Sequence, residues 1–123
     1  FFYFIMFRRP PRSTRFPYTT LFRSGRALMD TVDCAHSLRV ADVNRDGHPD
    51  IWFGEMRLNG GNPDSRHGVL YGDGKGGFTM QNISSGIELH ESDLADLDGD
   101  GDLDIIGKPF QWLTPRIDIW LQE

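Results

Sequence analysis

An all-β repeat fold follows from three observations in this 123-residue chain. The same acidic, glycine-punctuated loop occurs twice. Short β-branched or aromatic segments flank both copies. A glycine-rich turn joins two further strand-like segments between them. The loops are Asp42-Val-Asn-Arg-Asp-Gly-His-Pro-Asp50 and Asp96-Leu-Asp-Gly-Asp-Gly-Asp-Leu-Asp104.

Ser37-Leu-Arg-Val-Ala precedes the first loop and Ile51-Trp-Phe-Gly follows it. The pattern alternates apolar and polar residues and is soon broken by glycine, so the loop joins two strands as a hairpin. Gly68-Val-Leu-Tyr-Gly and Phe78-Thr-Met-Gln-Asn-Ile read as two more strands, with Gly72-Asp-Gly-Lys-Gly-Gly77 as the turn between them. Ser92-Asp-Leu-Ala and Ile105-Ile-Gly flank the second loop in the same way. In Ile117-Asp-Ile-Trp-Leu121, Ile117, Ile119 and Leu121 share one face of a strand, and Asp118 and Trp120 the other. His36 and His90 each lie six residues ahead of their loop, and Ala41-Asp42 matches Ala95-Asp96, so the two frames differ by 96 − 42 = 54 residues. Four antiparallel strands at this period predict a β-propeller blade. The chain then holds one blade over 34–83, after a lead-in at 25–33, and an incomplete one over 84–123. It is expected to be a propeller fragment cut at both ends, because a propeller needs at least about four blades to close. Its partners are then the neighbouring blades, and alone it should be marginal and edge-exposed.

Oxygen side chains stand at positions 1, 3, 5 and 9 of each loop, with Gly at position 6. That spacing lets a curled backbone wrap a hard cation. In the second loop Asp96, Asp98 and Asp100 turn inward, Gly101 permits the sharp turn, the carbonyl of Asp102 points in, and Asp104 closes the shell. In the first loop Asp42, Asn44, Asp46, the carbonyl of His48 and Asp50 take those places, and Asn44 leaves it one formal charge weaker. Carboxylates this close repel one another until a divalent ion enters, so binding and local folding should be coupled. Two Ca²⁺ sites are expected. Mg²⁺ suits a flexible ring of many oxygens less well, and Zn²⁺ would want a Cys/His cluster. An EF-hand needs Glu at position 12, where Phe53 and Gly107 stand. A dockerin places helices after its loops. The competing reading is a solvated Asp/Gly turn, which the duplication argues against.

Ala35 to Glu55 and His90 to Pro109 each resemble an FG-GAP/VCBS-type repeat, and Tyr71-Gly-Asp-Gly-Lys-Gly-Gly-Phe resembles that family's glycine-rich third turn. The resemblance spans about residues 34–123. It implies propeller blades like those of integrin α-subunit heads, with Ca²⁺ between the first two strands of a blade. The Phe-Gly pair is present as Phe53-Gly54. Gly107-Lys-Pro is the nearest match to Gly-Ala-Pro, which points to the bacterial secreted branch of the family.

Residues 1–24 differ in kind. They hold 8 of the 15 aromatic residues, 5 of the 13 basic residues and no acid. Met6 to Ser24 resembles the translation of a short-read sequencing adapter, departing from it at Phe7 and Arg15. The segment is therefore set outside the fold as an assembly artefact. The rest carries 8 − 18 = −10 in net charge, or about −6 with two Ca²⁺ bound. Such a surface repels nucleic acid and anionic membranes, and no apolar run is long enough to span a bilayer.

Cys34 is the single cysteine, so an internal disulfide is excluded and a small buried apolar role is expected. Millimolar extracellular calcium suits such loops, so the expected location is extracellular or at the cell surface. His36 and His90 recur and read as packing residues. Trp52, Trp112 and Trp120 read as core or interface residues rather than a sugar-stacking platform. Glu55 and Glu91 have no visible partner. The sequence offers no nucleophile-and-base pair, and the turn 72–77 lacks the Lys-Ser/Thr of a phosphate loop. The function expected is thus a non-catalytic, calcium-binding repeat with a structural or protein/glycan-binding role. The alternative is the propeller part of a carbohydrate-active enzyme such as a polysaccharide lyase.

Overall fold

The computed structural model describes residues 25–56, 63–110 and 115–123. Among them are seven strands and no helix: β1 Ala35–Ala41, β2 Asp50–Glu55, β3 Arg66–Gly72, β4 Phe78–Ser85, β5 Glu91–Ala95, β6 Asp104–Lys108 and β7 Asp118–Trp120. They form two antiparallel meanders, β1-β2-β3-β4 and β5-β6-β7. The adapter-like segment and Trp112 lie outside the described residues.

The second sheet repeats the first in register. Leu38 to Ala41 pair with Phe53 to Asp50, and Ser92 to Ala95 pair with Gly107 to Asp104, 54 residues on. Ile51 pairs with Leu70, and Ile105 with Trp120. β7 is therefore the counterpart of β3.

The sheets meet over an apolar core. Trp52, Val69, Leu89, Ile105 and Val43 are buried there, with Leu94, Tyr71 and Trp120 partly buried against them. Leu89 belongs to no strand, yet it is fully buried. Its backbone N–H donates to the Glu55 carbonyl at 2.8 Å, and His90 N–H donates to the Lys108 carbonyl at 2.9 Å. The linker is thereby hydrogen-bonded to both sheets. The side chain fits because two glycines admit it: a Cβ on Gly54 would lie 3.1 Å from Leu89 Cβ, and one on Gly107 2.7 Å from Leu89 Cδ2.

Repeat-equivalent residues also touch. His36 and His90 stack at 4.3 Å between ring centres, and the His36 ring is hydrogen-bonded to the His90 carbonyl. Arg39 Nε donates to Asp93 Oδ1 at 2.7 Å, and this guanidinium, foremost, holds the Asp93 carboxyl below the usual range. Trp120 packs edge-on to His67 at 4.5 Å, across the seam between the sheets.

Two expectations are corrected. Cys34 is exposed, not buried, because it precedes β1 in a left-handed conformation (φ 50°) outside the core. Glu55 is not isolated. It is almost fully buried and accepts from Arg66 N–H at 3.0 Å, Arg66 Nε at 3.3 Å and Asp33 N–H at 3.3 Å. The Arg66 guanidinium also donates to the Thr31 carbonyl at 2.7 Å, which ties the lead-in to β3. Glu91 stays exposed on β5.

Replacing Leu89 by Ala should cost about 2–5 kcal/mol in denaturant unfolding, through lost burial and an unfilled cavity between the sheets. A second prediction concerns His67, which is fully buried and whose ring nitrogens have no hydrogen-bond partner. Burial lowers its pKa from 6.5 to about 4. The unfolded chain takes up this proton below about 6.5 and the native state only below about 4. Stability from the neutral ring is therefore whole above 6.5 and declines as pH falls between those values. At pH 5 the loss should be about 2 kcal/mol. Urea melts at pH 7 and pH 5 should show that loss reduced in His67→Leu relative to wild type. Equal losses would rule the account out.

Candidate metal centre

The two loops occupy 42–49, between β1 and β2, and 96–103, between β5 and β6, and they adopt the same backbone course. Position 4 has positive φ in both, at Arg45 (59°) and Gly99 (84°). So does position 6, at Gly47 (85°) and Gly101 (93°). This left-handed region suits glycine at position 6. At position 4 the first loop holds an arginine in a conformation that L-residues seldom adopt.

The oxygen side chains at positions 1, 3 and 5 accept N–H bonds from their own loops. Asp42 accepts from Asp46 at 3.0 Å and Gly47 at 2.9 Å. Asp96 accepts from Gly99 at 2.6 Å and Gly101 at 3.0 Å. Asn44 accepts from Asp46 N–H at 3.1 Å and Asp98 from Asp100 N–H at 3.1 Å. Asp46 accepts from His48 N–H and Asp100 from Asp102 N–H, each at 2.8 Å. These Asx-type bonds curl the backbone around its side-chain oxygens.

Position 9 behaves differently. Asp50 and Asp104 have no exposed surface. One oxygen of each accepts the N–H at loop position 2, Val43 at 2.8 Å and Leu97 at 2.7 Å. The other accepts an N–H from the third strand or just beyond it, Gly72 at 2.8 Å and Gln122 at 2.9 Å. This carboxylate closes the loop and fastens it to its sheet.

The loops differ in charge. Ligand atoms of Asp96, Asp98 and Asp104 lie within 4.8 Å of one another. Among the described residues, this is where three acidic, His or Cys side chains converge closely enough to share an ion. Asp100 lies outside that trio. In the first loop Asn44 stands where Asp98 does, and its Nδ2 donates to Asp46 Oδ2 at 3.0 Å. The His48 N–H bond, then this amide, lowers the exposed Asp46 carboxyl's pKa.

The second loop's donors are all oxygens and its charge is strongly negative. That set fits a hard divalent cation such as Ca²⁺ and offers nothing to a thiophilic one. At position 7, the expected donors are the main-chain carbonyls of His48 and Asp102. The His48 ring instead lies against Gly74, where a Cβ would come within 2.5 Å of Nδ1. Gly74 belongs to the β3–β4 turn, which Asp73 braces by accepting from Lys75 and Gly77 N–H at 2.8 and 2.7 Å. Those two bonds, in that order, lower the Asp73 pKa.

Sequence reasoning missed Arg45. Its guanidinium crosses from the first loop to the second, where Nη2 meets Asp102 Oδ1 at 2.8 Å. A Cβ on Gly101 would lie 2.7 Å from that nitrogen. A surface arginine in a turn carries no local signal for such a role. The contact depends on how the sheets stack.

The two kinds of aspartate should separate experimentally. Asp104→Ala leaves two N–H groups at a buried position without their acceptor and should cost about 2–5 kcal/mol even in chelator. Asp98→Ala removes one exposed bond and should cost less than about 1 kcal/mol there. Guanidinium melts in EDTA would refute the distinction by showing equal losses.

No protein family, curated protein or solved structure matches this chain.

Proposed function

We propose that this chain is a calcium-binding pair of β-propeller blades of the FG-GAP/VCBS type, part of a secreted or cell-surface protein. Its role is structural or protein/glycan-binding rather than catalytic. The observation that carries this reading is the convergence of Asp96, Asp98 and Asp104 within 4.8 Å, in a loop whose backbone course recurs at 42–49.

Three further points support it. The first sheet is a four-stranded antiparallel meander, the form a propeller blade takes. The loop sits between the first two strands of each sheet, where the resemblance puts the ion. The loop is also repeated, and a repeated site is a staple before it is an active centre. Calcium bound there would neutralise the second loop's crowded carboxylates and hold the hairpin against its sheet. Millimolar calcium outside cells suits such loops. No helix among the described residues is long and apolar enough to cross a membrane.

Calorimetric titration of the full chain with Ca²⁺ should give about two sites, the second loop's being the tighter. Calcium at ten times its dissociation constant should add about 1.4 kcal/mol of stability per site relative to chelator. Asp96→Ala and Asp100→Ala should each weaken one site and spare the other. A folded chain that takes up no calcium and melts identically in calcium and EDTA would sink the assignment.

A further inference from the structure

Two side chains cross the seam between the candidate cation loops, and they cross in opposite directions. Gln122, two residues past β7, serves both loops. Its backbone N–H donates to Asp104 Oδ1 at 2.9 Å, and its side-chain Nε2 donates to the Val43 carbonyl at 3.2 Å. Val43 is position 2 of the first loop, and its own N–H donates to Asp50 Oδ2 at 2.8 Å. On the far side, Asp104 Oδ2 accepts from the N–H of Leu97, position 2 of the second loop, at 2.7 Å. The two position-9 carboxylates are thereby joined through Val43 and Gln122. Arg45, position 4 of the first loop, runs the other way to Asp102 Oδ1 at 2.8 Å. Asp102 is position 7 of the second loop, and its N–H donates to Asp100 Oδ1 at 2.8 Å.

Neither crossing recurs in the repeat. Gly99 stands where Arg45 does. Gly72 stands where Gln122 does, since it gives its N–H to Asp50 as Gln122 gives its own to Asp104. Gly72 also has no room for a side chain: a Cβ there would lie 2.3 Å from the Pro49 carbonyl oxygen. The bridges therefore belong to this seam and not to the repeat as such. They are unequal in strength. The Arg45 side chain is 54% exposed, and ion pairs of that kind contribute little. The Gln122 amide reaches a carbonyl of a residue buried in the apolar core, where a hydrogen bond is electrostatically stronger than in water. Gln122 is thus the main link and Arg45 the lesser one.

We infer that the two loops bind divalent cations cooperatively, with Gln122 as the positioning residue that couples them. The inference rests on the calcium reading given above. An ion in the first loop would fix its backbone, including the Val43 carbonyl and the Arg45 main chain from which the two bridges are held. Asp104 and Asp102 would then be steadied before the second ion arrives, so less ordering would remain for that ion to impose. The help is mutual, because coupling between binding sites is reciprocal. Repulsion between the two ions opposes it. An arginine side chain spans the gap between the loops, and charges farther apart than about 8 Å are largely screened at physiological salt. The coupling expected is about three- to tenfold in affinity, near the lower end of the usual range. Removing one site spares the ligands of the other but withdraws this help, so the spared site weakens by the same factor.

Calorimetric titration of the full chain with Ca²⁺ tests the coupling. Asp96→Ala with Asp98→Ala disables the second site and gives the first site's constant alone. Asp42→Ala with Asp46→Ala gives the second site's constant alone. The product of the two stepwise association constants of the wild type should exceed the product of these single-site constants by about three- to tenfold. Gln122→Met keeps the backbone N–H on Asp104 and the length of the side chain but has no amide to reach Val43. Measured in that background, the same ratio should fall below about twofold. Arg45→Gln should lower it less. A merely structural Gln122 would weaken both single-site constants and leave the ratio as it was. Circular dichroism checks that each variant is folded, and Gln122→Leu replaces a Gln122→Met chain that is not. A wild-type ratio of about one would overturn the coupling and leave the calcium reading standing, and so would a ratio that survives the loss of the amide. A folded chain that takes up no calcium would overturn both.

Discussion

Asp50 and Asp104 each lie wholly inside the protein, with one oxygen on the loop and the other on the third strand or two residues past its end. A buried carboxylate is costly unless hydrogen bonds satisfy it. Here both carboxylates accept from backbone N–H groups that would otherwise be orphaned at the end of a sheet. The arrangement sets where the loop begins to curl, where the hairpin stops and how the third strand runs past it. The convergence of Asp104 with Asp96 and Asp98 depends on it, because those two are exposed and only the third is held by the interior.

The seam between the sheets is built on this frame by apolar contact. Leu89 reaches it from the linker because Gly54 and Gly107 leave room. Trp52 and Trp120 flank His67 there, a ring kept neutral by burial rather than by a partner. Polar contacts sit around the margin: Arg39 with Asp93, and Arg45 with Asp102. Exposed ion pairs of this kind contribute little to stability. Their use is to set which side chains face each other.

Much of this architecture was legible in the sequence, because the signals are local. Short alternating, β-branched or aromatic segments bounded by glycine located the strands, and the 54-residue offset aligned the loops. The side chains at positions 1, 3 and 5 act within one turn of backbone, so their inward course could be read from spacing. Longer-range relations could not. Nothing beside Asp50 announces Gly72, nothing beside Asp104 announces Gln122, and Glu55 looked solitary until β3 brought Arg66 alongside. Leu89 sits in a stretch without periodicity, and Cys34 is exposed because of a backbone turn that no composition rule foresees. Each miss involves a partner chosen by sheet register or by the stacking of one sheet on the other.

The hydrogen bond from Gln122 Nε2 to the Val43 carbonyl, at 3.2 Å, joins residues 79 apart. Closing a loop of that length directly from the unfolded chain costs about 1 kcal/mol more entropy than closing the 18-residue loop between Asp104 and Gln122. Each meander, by contrast, grows from neighbouring hairpins, the kind of local contact that forms fast. The economical order is therefore the first meander, then the second, then the seam, with Gln122 reaching Val43 last. Synthesis from the N-terminus runs the same way: the surface that must receive the second sheet is complete before the residue that latches onto it has been made.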